Sequence, residues 1–274
     1  MNNLYPRLPD TMTLELCTAG PLLDEVVQIA ADAGVPVSPH QFVRQQDIVA
    51  HRHPKMPPVQ AFPRIFGEGT PHEAVINGGV PGRHDHRFLL DALGGRVGSI
   101  LDLEPENWQK HLEFGTVRQV TDAVELLQST ASFSGASAIA FTFYASQISN
   151  FVWRQADLDW FRNMPLLCPD AYLYDRPGPG GAVTPEQYEE TNDKWLAFFA
   201  SGVPSRRIRP FFWFGTSGEY RPLTLDEARW TGKYWRSRNI WHGYLWVGCD
   251  KPEDVEFARK HLTPEFVAAL RGEA

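Results

Sequence analysis

The sequence predicts an α/β fold, a (β/α)8 TIM-type barrel formed by residues 1–274 as a single domain. Strand-type and helix-type segments alternate about eight times, which pairs the strands in parallel under a layer of helices. No composition break, internal repeat or low-complexity tract divides the 274 residues. That length suits a closed barrel, which typically takes about 250 residues. No glycine-rich phosphate loop follows the first strand, since Thr18-Ala19-Gly20 is too short to count, so a doubly wound sheet is the second choice.

Residues 12–17 form a short apolar run that fits the first strand. Residues 22–33 carry apolar side chains at helical spacing, and Gly34 stops that helix as a C-cap does. Residues 34–49 read as a second strand region with a polar interruption, and 59–65 as another extended segment. Residues 74–82 are a strand running into a glycine turn, followed by a brief helix at 86–93. In the stretch 96–108 the residues up to Leu101 read as a buried strand, which Pro105 with polar Glu106 and Asn107 brings to an end. An amphipathic helix at 116–130 leads into an apolar strand at 136–144. Further strands are expected at 171–174, 209–214 and 243–247, with helices at 185–201, 225–238 and 252–270. The Pro- and Gly-rich residues 176–182 read as a loop over the barrel mouth.

Chemistry in such a fold belongs at the C-terminal ends of the strands. Asp102 and Glu104 fall at such an end. Side chains in a strand alternate between faces, so the two carboxylates share one face while Leu103 takes the other. Two acids that close together do not both ionise freely, and the one that keeps its proton near neutrality is suited to be a general acid.

The remaining composition excludes several classes. A net charge of −7 with scattered arginines argues against a nucleic-acid binder. No run has the apolar length of a membrane span, and residues 1–10 lack the basic-then-apolar pattern of a secretory leader, so a cytoplasmic protein or a mature secreted form is expected. Cys17, Cys168 and Cys249 are widely spaced without a C-x-x-C, which predicts reduced structural cysteines. The 9 Trp, 17 Phe and 8 Tyr supply a core and also the flat rings that sugar clefts use. No G-x-S-x-G elbow supports Ser-His-Asp catalysis.

A resemblance joins several of these segments. Val75-Ile76-Asn77-Gly78-Gly79-Val80-Pro81, then Gly98-Ser99-Ile100-Leu101-Asp102-Leu103-Glu104 and Trp108, resemble the signature of the hyaluronidases, glycoside hydrolase family 56. There a G-G-(V/I/L)-P turn precedes a strand ending in D-(W/F)-E, with a Trp soon after. Gln46-Asp47-Ile48-Val49 followed by Pro54 is similar to the family's early strand. Asp157-Leu158-Asp159-Trp160 through Pro169-Asp170-Ala171-Tyr172 is similar to its N-x-x-L-x-W-L-W segment and the P-S-(I/A)-Y that follows. Leu223-Thr224-Leu225-Asp226 and Gly243-Tyr244-Leu245-Trp246-Val247-Gly248 resemble its last two barrel units. Order and spacing agree over residues 45–262.

The resemblance implies a retaining endo-β-N-acetylhexosaminidase acting on hyaluronan, chondroitin or a related glycan without metal or cofactor. The substrate's own 2-acetamido oxygen then takes the place of an enzyme nucleophile. It implies that Glu104 is the general acid/base, that Asp102 orients the acetamido group and that Tyr144 hydrogen-bonds it. Tyr172 and Trp246 match sugar-pocket positions, and Asn77, Tyr174 and Trp213 are further candidate substrate contacts.

The chain also departs from the family pattern. Leu103 replaces the usual Trp or Phe, the clamping cysteines of the animal enzymes are missing, and Ala145-Ser146-Gln147-Ile148-Ser149-Asn150 lacks the P-x-C-Y-N pattern. A polyanionic substrate would need a cationic groove, for which Arg44, Arg52, Arg64, Arg83 and Arg176 are candidates. Two rival enzymes and one binding module remain open. Glu219 after Phe211-Phe212-Trp213-Phe214 suits a nucleophile paired with Glu104 in a two-carboxylate glycosidase. His51, His53, His84 and His86, with Asp102, suit a metal-dependent hydrolase. A barrel that only binds glycan is disfavoured by the presence of Asp102, Glu104 and Tyr144 together.

Overall fold

The computed structural model of the protein describes residues 11–18, 20–44, 99–102, 138–144, 155, 159, 162–174, 184–198, 200–217 and 221–273. Strands β1 (Thr13–Leu16), β2 (Gln41–Arg44), β3 (Ser99–Asp102), β4 (Ala138–Tyr144), β5 (Cys168–Asp170), β7 (Phe211–Phe212) and β9 (His242–Leu245) form one sheet in the order β1-β9-β7-β5-β4-β3-β2. Every pairing in it is parallel. The short strands β6 (Leu173–Tyr174) and β8 (Thr216–Ser217) pair in parallel beyond β5 and β7. Among the described residues the helices are α1 (Leu23–Asp32), α2 (Pro185–Phe198), α3 (Leu225–Ser237), α4 (Pro252–His261) and α5 (Pro264–Arg271). The protein is thus an α/β fold built on a parallel sheet, as the alternation of segments implies.

Seven strands form the main sheet among the described residues, and β2 hydrogen-bonds directly to β3, with Phe42 opposite Ile100 and Arg44 opposite Asp102. The expected segments at 59–65, 74–82 and 86–93 lie outside the described residues, as does the helix at 116–130. At the other edge the chain just before β2 pairs in parallel with β1. Leu16 N donates to Pro36 O at 2.7 Å and Ser38 N donates to Leu16 O at 2.8 Å.

Alternation along each strand divides the sheet into two faces. Leu14 and Leu16 of β1, Phe212 of β7 and Leu245 of β9 pack with Val26, Ile29 and Ala30 of α1, Trp235 of α3 and Val267 of α5 in the larger core cluster. On the opposite face Cys17, Phe42, Ile100, Ala140, Cys168, Phe211 and Tyr244 form a second buried cluster. Gly243 lets β9 approach β7, because a Cβ there would sit 2.4 Å from the Phe212 ring.

The helix boundaries follow local chemistry. The N-cap Thr224 accepts from Glu227 N at 3.2 Å while Glu227 accepts from Thr224 N at 2.8 Å, a capping box that starts α3. The single closing helix expected at 252–270 is two helices. Pro264 has no N–H to continue the first, and Thr263 caps the second by accepting from Phe266 N at 3.2 Å. The strand expected at 171–174 starts earlier, at Cys168, and is interrupted between Asp170 and Leu173. Of the run expected at 209–214 only Phe211–Phe212 is strand, and β8 follows it at Thr216–Ser217.

Candidate active site

All seven strands of the main sheet point the same way, so their C-terminal ends share one edge. Asp102 closes β3, two positions after the fully buried Ile100. Tyr144 closes β4 opposite Asp170 in the register. Asp170 is a buried carboxylate at the end of β5, which itself pairs with Phe211. Ala171 N then donates to Phe211 O at 2.8 Å, and the break between β5 and β6 presents Tyr172 at this edge.

Three aromatic rings meet there. Tyr172 lies 6.2 Å from Trp213 and 6.2 Å from Trp246, and the two tryptophans are 6.0 Å apart at 74°. Trp213 follows β7 and Trp246 follows β9, whose adjacency is continued by Trp246 N donating to Phe212 O at 2.9 Å. Tyr172 and Trp246 are partly exposed, whereas Trp213 is 8% exposed. Edge-on and tilted pairs of this kind are favoured by the ring quadrupole.

One layer below, Phe211 packs on Tyr244 at 5.0 Å and on Phe42 at 5.6 Å. Arg209 Nη1 donates to the Tyr244 hydroxyl at 2.9 Å and lies 3.9 Å from a Glu15 carboxylate oxygen, whose other oxygen is 3.5 Å from His242 Nε2. Burial pushes the Tyr244 phenol above the usual tyrosine range, against the opposing pull of Arg209. Burial, followed by the positive charge of Arg209, pushes the His242 imidazole down, with Glu15 acting in the other direction. The rings of the candidate site therefore rest on a neutral aromatic layer with charged groups held beneath it.

The cysteines are free and buried. Burial raises the thiols of Cys17 and Cys168 well above the ordinary range, which keeps both in the unreactive form.

Of the positions singled out from sequence, the fold brings Tyr172, Trp213 and Trp246 into contact and sets Asp102 and Tyr144 at the ends of their strands. Tyr174 lies in β6. Glu104, Asn77 and Glu219, the histidines His51, His53, His84 and His86, and Arg52, Arg64, Arg83 and Arg176 lie outside the described residues; Arg44 closes β2. Among the described residues no group of three His, Cys, Asp or Glu side chains is arranged to hold a metal ion. No described helix is long and apolar enough to cross a membrane.

Sequence reasoning missed Asp170, Glu15, Arg209 and His242. Counting back in steps of two from Tyr172, Trp213 and Trp246 reaches Asp170, Arg209 and His242 but not Glu15, and it does not show that their face is covered.

No known family profile matches the chain, and no curated protein matches it by sequence. Solved structures do resemble it. Bee venom hyaluronidase in complex with a hyaluronic acid tetramer is 10% identical, with a TM-score of 0.50 over 94% of this chain and 98% of that one. A monoclinic crystal structure of bee venom hyaluronidase is 13% identical, with a TM-score of 0.47 over 74% of this chain and 80% of that one. The PgaB (BpsB) glycoside hydrolase domain from Bordetella bronchiseptica is 11% identical, with a TM-score of 0.37 over 84% of this chain and 58% of that one. At such identity the near-complete overlay on the hyaluronidase complex is a likeness of fold.

Proposed function

We propose that this protein is a retaining endo-β-N-acetylhexosaminidase that cleaves hyaluronan, chondroitin or a related N-acetylhexosamine polymer by substrate-assisted catalysis. The observation that carries this reading is the gathering of Tyr172, Trp213 and Trp246 at the sheet edge where β3 ends in Asp102, two residues before Glu104. The fold likeness to a hyaluronidase solved with a hyaluronic acid tetramer supports a polysaccharide substrate. We also read the sheet as closed into a barrel, which the parallel bridge between Leu16 and Val37 supports by joining β1 to the entry of β2.

The proposed reaction proceeds in two steps. The acetamido oxygen attacks C1 as the C1–O glycosidic bond breaks, and Glu104 gives its proton to the leaving oxygen. Asp102 orients the acetamide and steadies the positive charge that forms on it, and Tyr144 hydrogen-bonds its oxygen. Water then attacks C1 from the side the leaving group vacated, Glu104 takes the proton, and the acetamide is released with C1 configuration retained. Tyr172 and Trp246 line the sugar pocket.

A panel of hyaluronan, chondroitin, chitin oligomers and peptidoglycan, with product ends read by mass spectrometry, tests the assignment. Cleavage leaving an N-acetylhexosamine at the new reducing end is the expected result. Turnover of none of the four, or cleavage leaving a different sugar at that end, would overturn it.

A further inference from the structure

Trp213 differs from the two rings it touches. Tyr172 and Trp246 keep exposed surface, but Trp213 is 8% exposed and has too little free area to form the face of a sugar platform. Its contacts run in two directions. Toward the sheet edge it meets Tyr172 at 64° and Trp246 at 74°, both near edge-on. Toward the helix layer it packs on Phe257 of α4 at 6.3 Å and on Phe214 at 6.3 Å. Phe257 is itself stacked on Phe214 at 5.3 Å and 27° and lies 4.8 Å from His261. The backbone makes room for this ring, since a Cβ on Gly215 would sit 3.1 Å from Trp213 Cζ2 and 3.1 Å from the Phe257 ring.

We infer that Trp213 is a positioning residue, a wedge anchored on α4 that sets the spacing and tilt of Tyr172 and Trp246 for a bound sugar. The inference rests on the proposed role of those two rings as the sugar pocket. A pocket made of loop-borne rings loses affinity when they are free to turn, because the ligand must then fix them itself. Trp213 removes that freedom through a rigid contact on each ring. It links the site to the middle of α4, far from the proposed reacting carboxylates in sequence.

The experiment measures binding of an N-acetylhexosamine oligosaccharide by calorimetry in the inactive Glu104→Gln protein, with W213F, W213L, Y172A and W246A added singly. Y172A and W246A report on the pocket itself. W213L is expected to weaken binding about tenfold or more and W213F about two- to fivefold, the smaller ring restoring part of the contact. In the active protein both should raise KM more than they lower kcat, with the fold retained in far-UV circular dichroism. The near-UV circular dichroism contributed by the tryptophan pair should change in W213F and W213L as in W246A, because one partner of the 6.0 Å pair is gone. If W213L does not fold, W213F and G215A, which presses on the ring without removing it, carry the test. Unchanged binding in W213F and G215A with weakened binding in Y172A and W246A would overturn the wedge and leave the pocket standing. Unchanged binding in Y172A and W246A would overturn the pocket and the wedge with it.

Discussion

Glu104→Gln is expected to remove at least about three orders of magnitude of turnover while oligosaccharide binding and the thermal transition stay nearly unchanged. A glycosidic oxygen is a very poor leaving group unless it is protonated as the bond breaks. Glutamine keeps the size and hydrogen-bonding capacity of the acid and loses only the transferable proton. In the proposed reaction the same residue takes a proton from water in the second step, so one substitution would disable both steps. A pure loss in kcat, with KM changed little, is the signature of an interaction made in the transition state alone. Initial rates on the substrate found active in the panel check the result. A variant within tenfold of wild type would remove Glu104 from the mechanism.

Asp102→Asn is expected to cost about two orders of magnitude and to move the pH profile as well. The acetamide that attacks C1 acquires positive charge on its C–N unit, and a carboxylate at the end of β3 is a fixed anion for it. Asparagine offers a dipole in place of the charge, so some orientation survives and the loss is smaller than at Glu104. The anion also acts on its neighbour. In the proposed site a negative Asp102 would hold the Glu104 proton to higher pH, and removing that charge would let Glu104 ionise earlier. Since Glu104 must enter the first step protonated, the alkaline limb of kcat/KM should shift to lower pH in the variant. Rate profiles across pH for both proteins check this; an alkaline limb that stays in place would mean the two carboxylates do not interact.

The parallel arrangement was legible in the sequence because strand-type apolar runs alternate with helix-type segments, and a parallel sheet needs such crossovers. Boundaries were harder. Pro169 sits within β5, and a proline reads as a strand breaker, so the segment was placed three residues late, where Ala171 to Tyr174 look continuous. Thr263-Pro264 splits the last helical segment, a signal the apolar spacing across 252–270 obscured. Tyr172 and Trp246 were found through the family resemblance, each at or just past the end of an apolar run. The charged layer beneath them was not legible. Glu15, Arg209 and His242 alternate with apolar residues as solvent-facing positions do, yet they meet one another on the face that also carries Tyr244. Alternation identifies two faces but does not say that the polar-looking one is covered.

In the proposed reaction the substrate's own amide performs the displacement, and fluorine placed on that amide reads its role out. Oligosaccharides whose reacting sugar carries acetyl, monofluoroacetyl, difluoroacetyl or trifluoroacetyl on the C2 nitrogen differ little in size. The acyl oxygen becomes a weaker nucleophile with each fluorine. A steep fall in kcat/KM along the series is expected, about tenfold or more per fluorine, with no turnover of a sugar with a hydroxyl at C2. A flat series, or equal cleavage of the hydroxyl sugar, would contradict it.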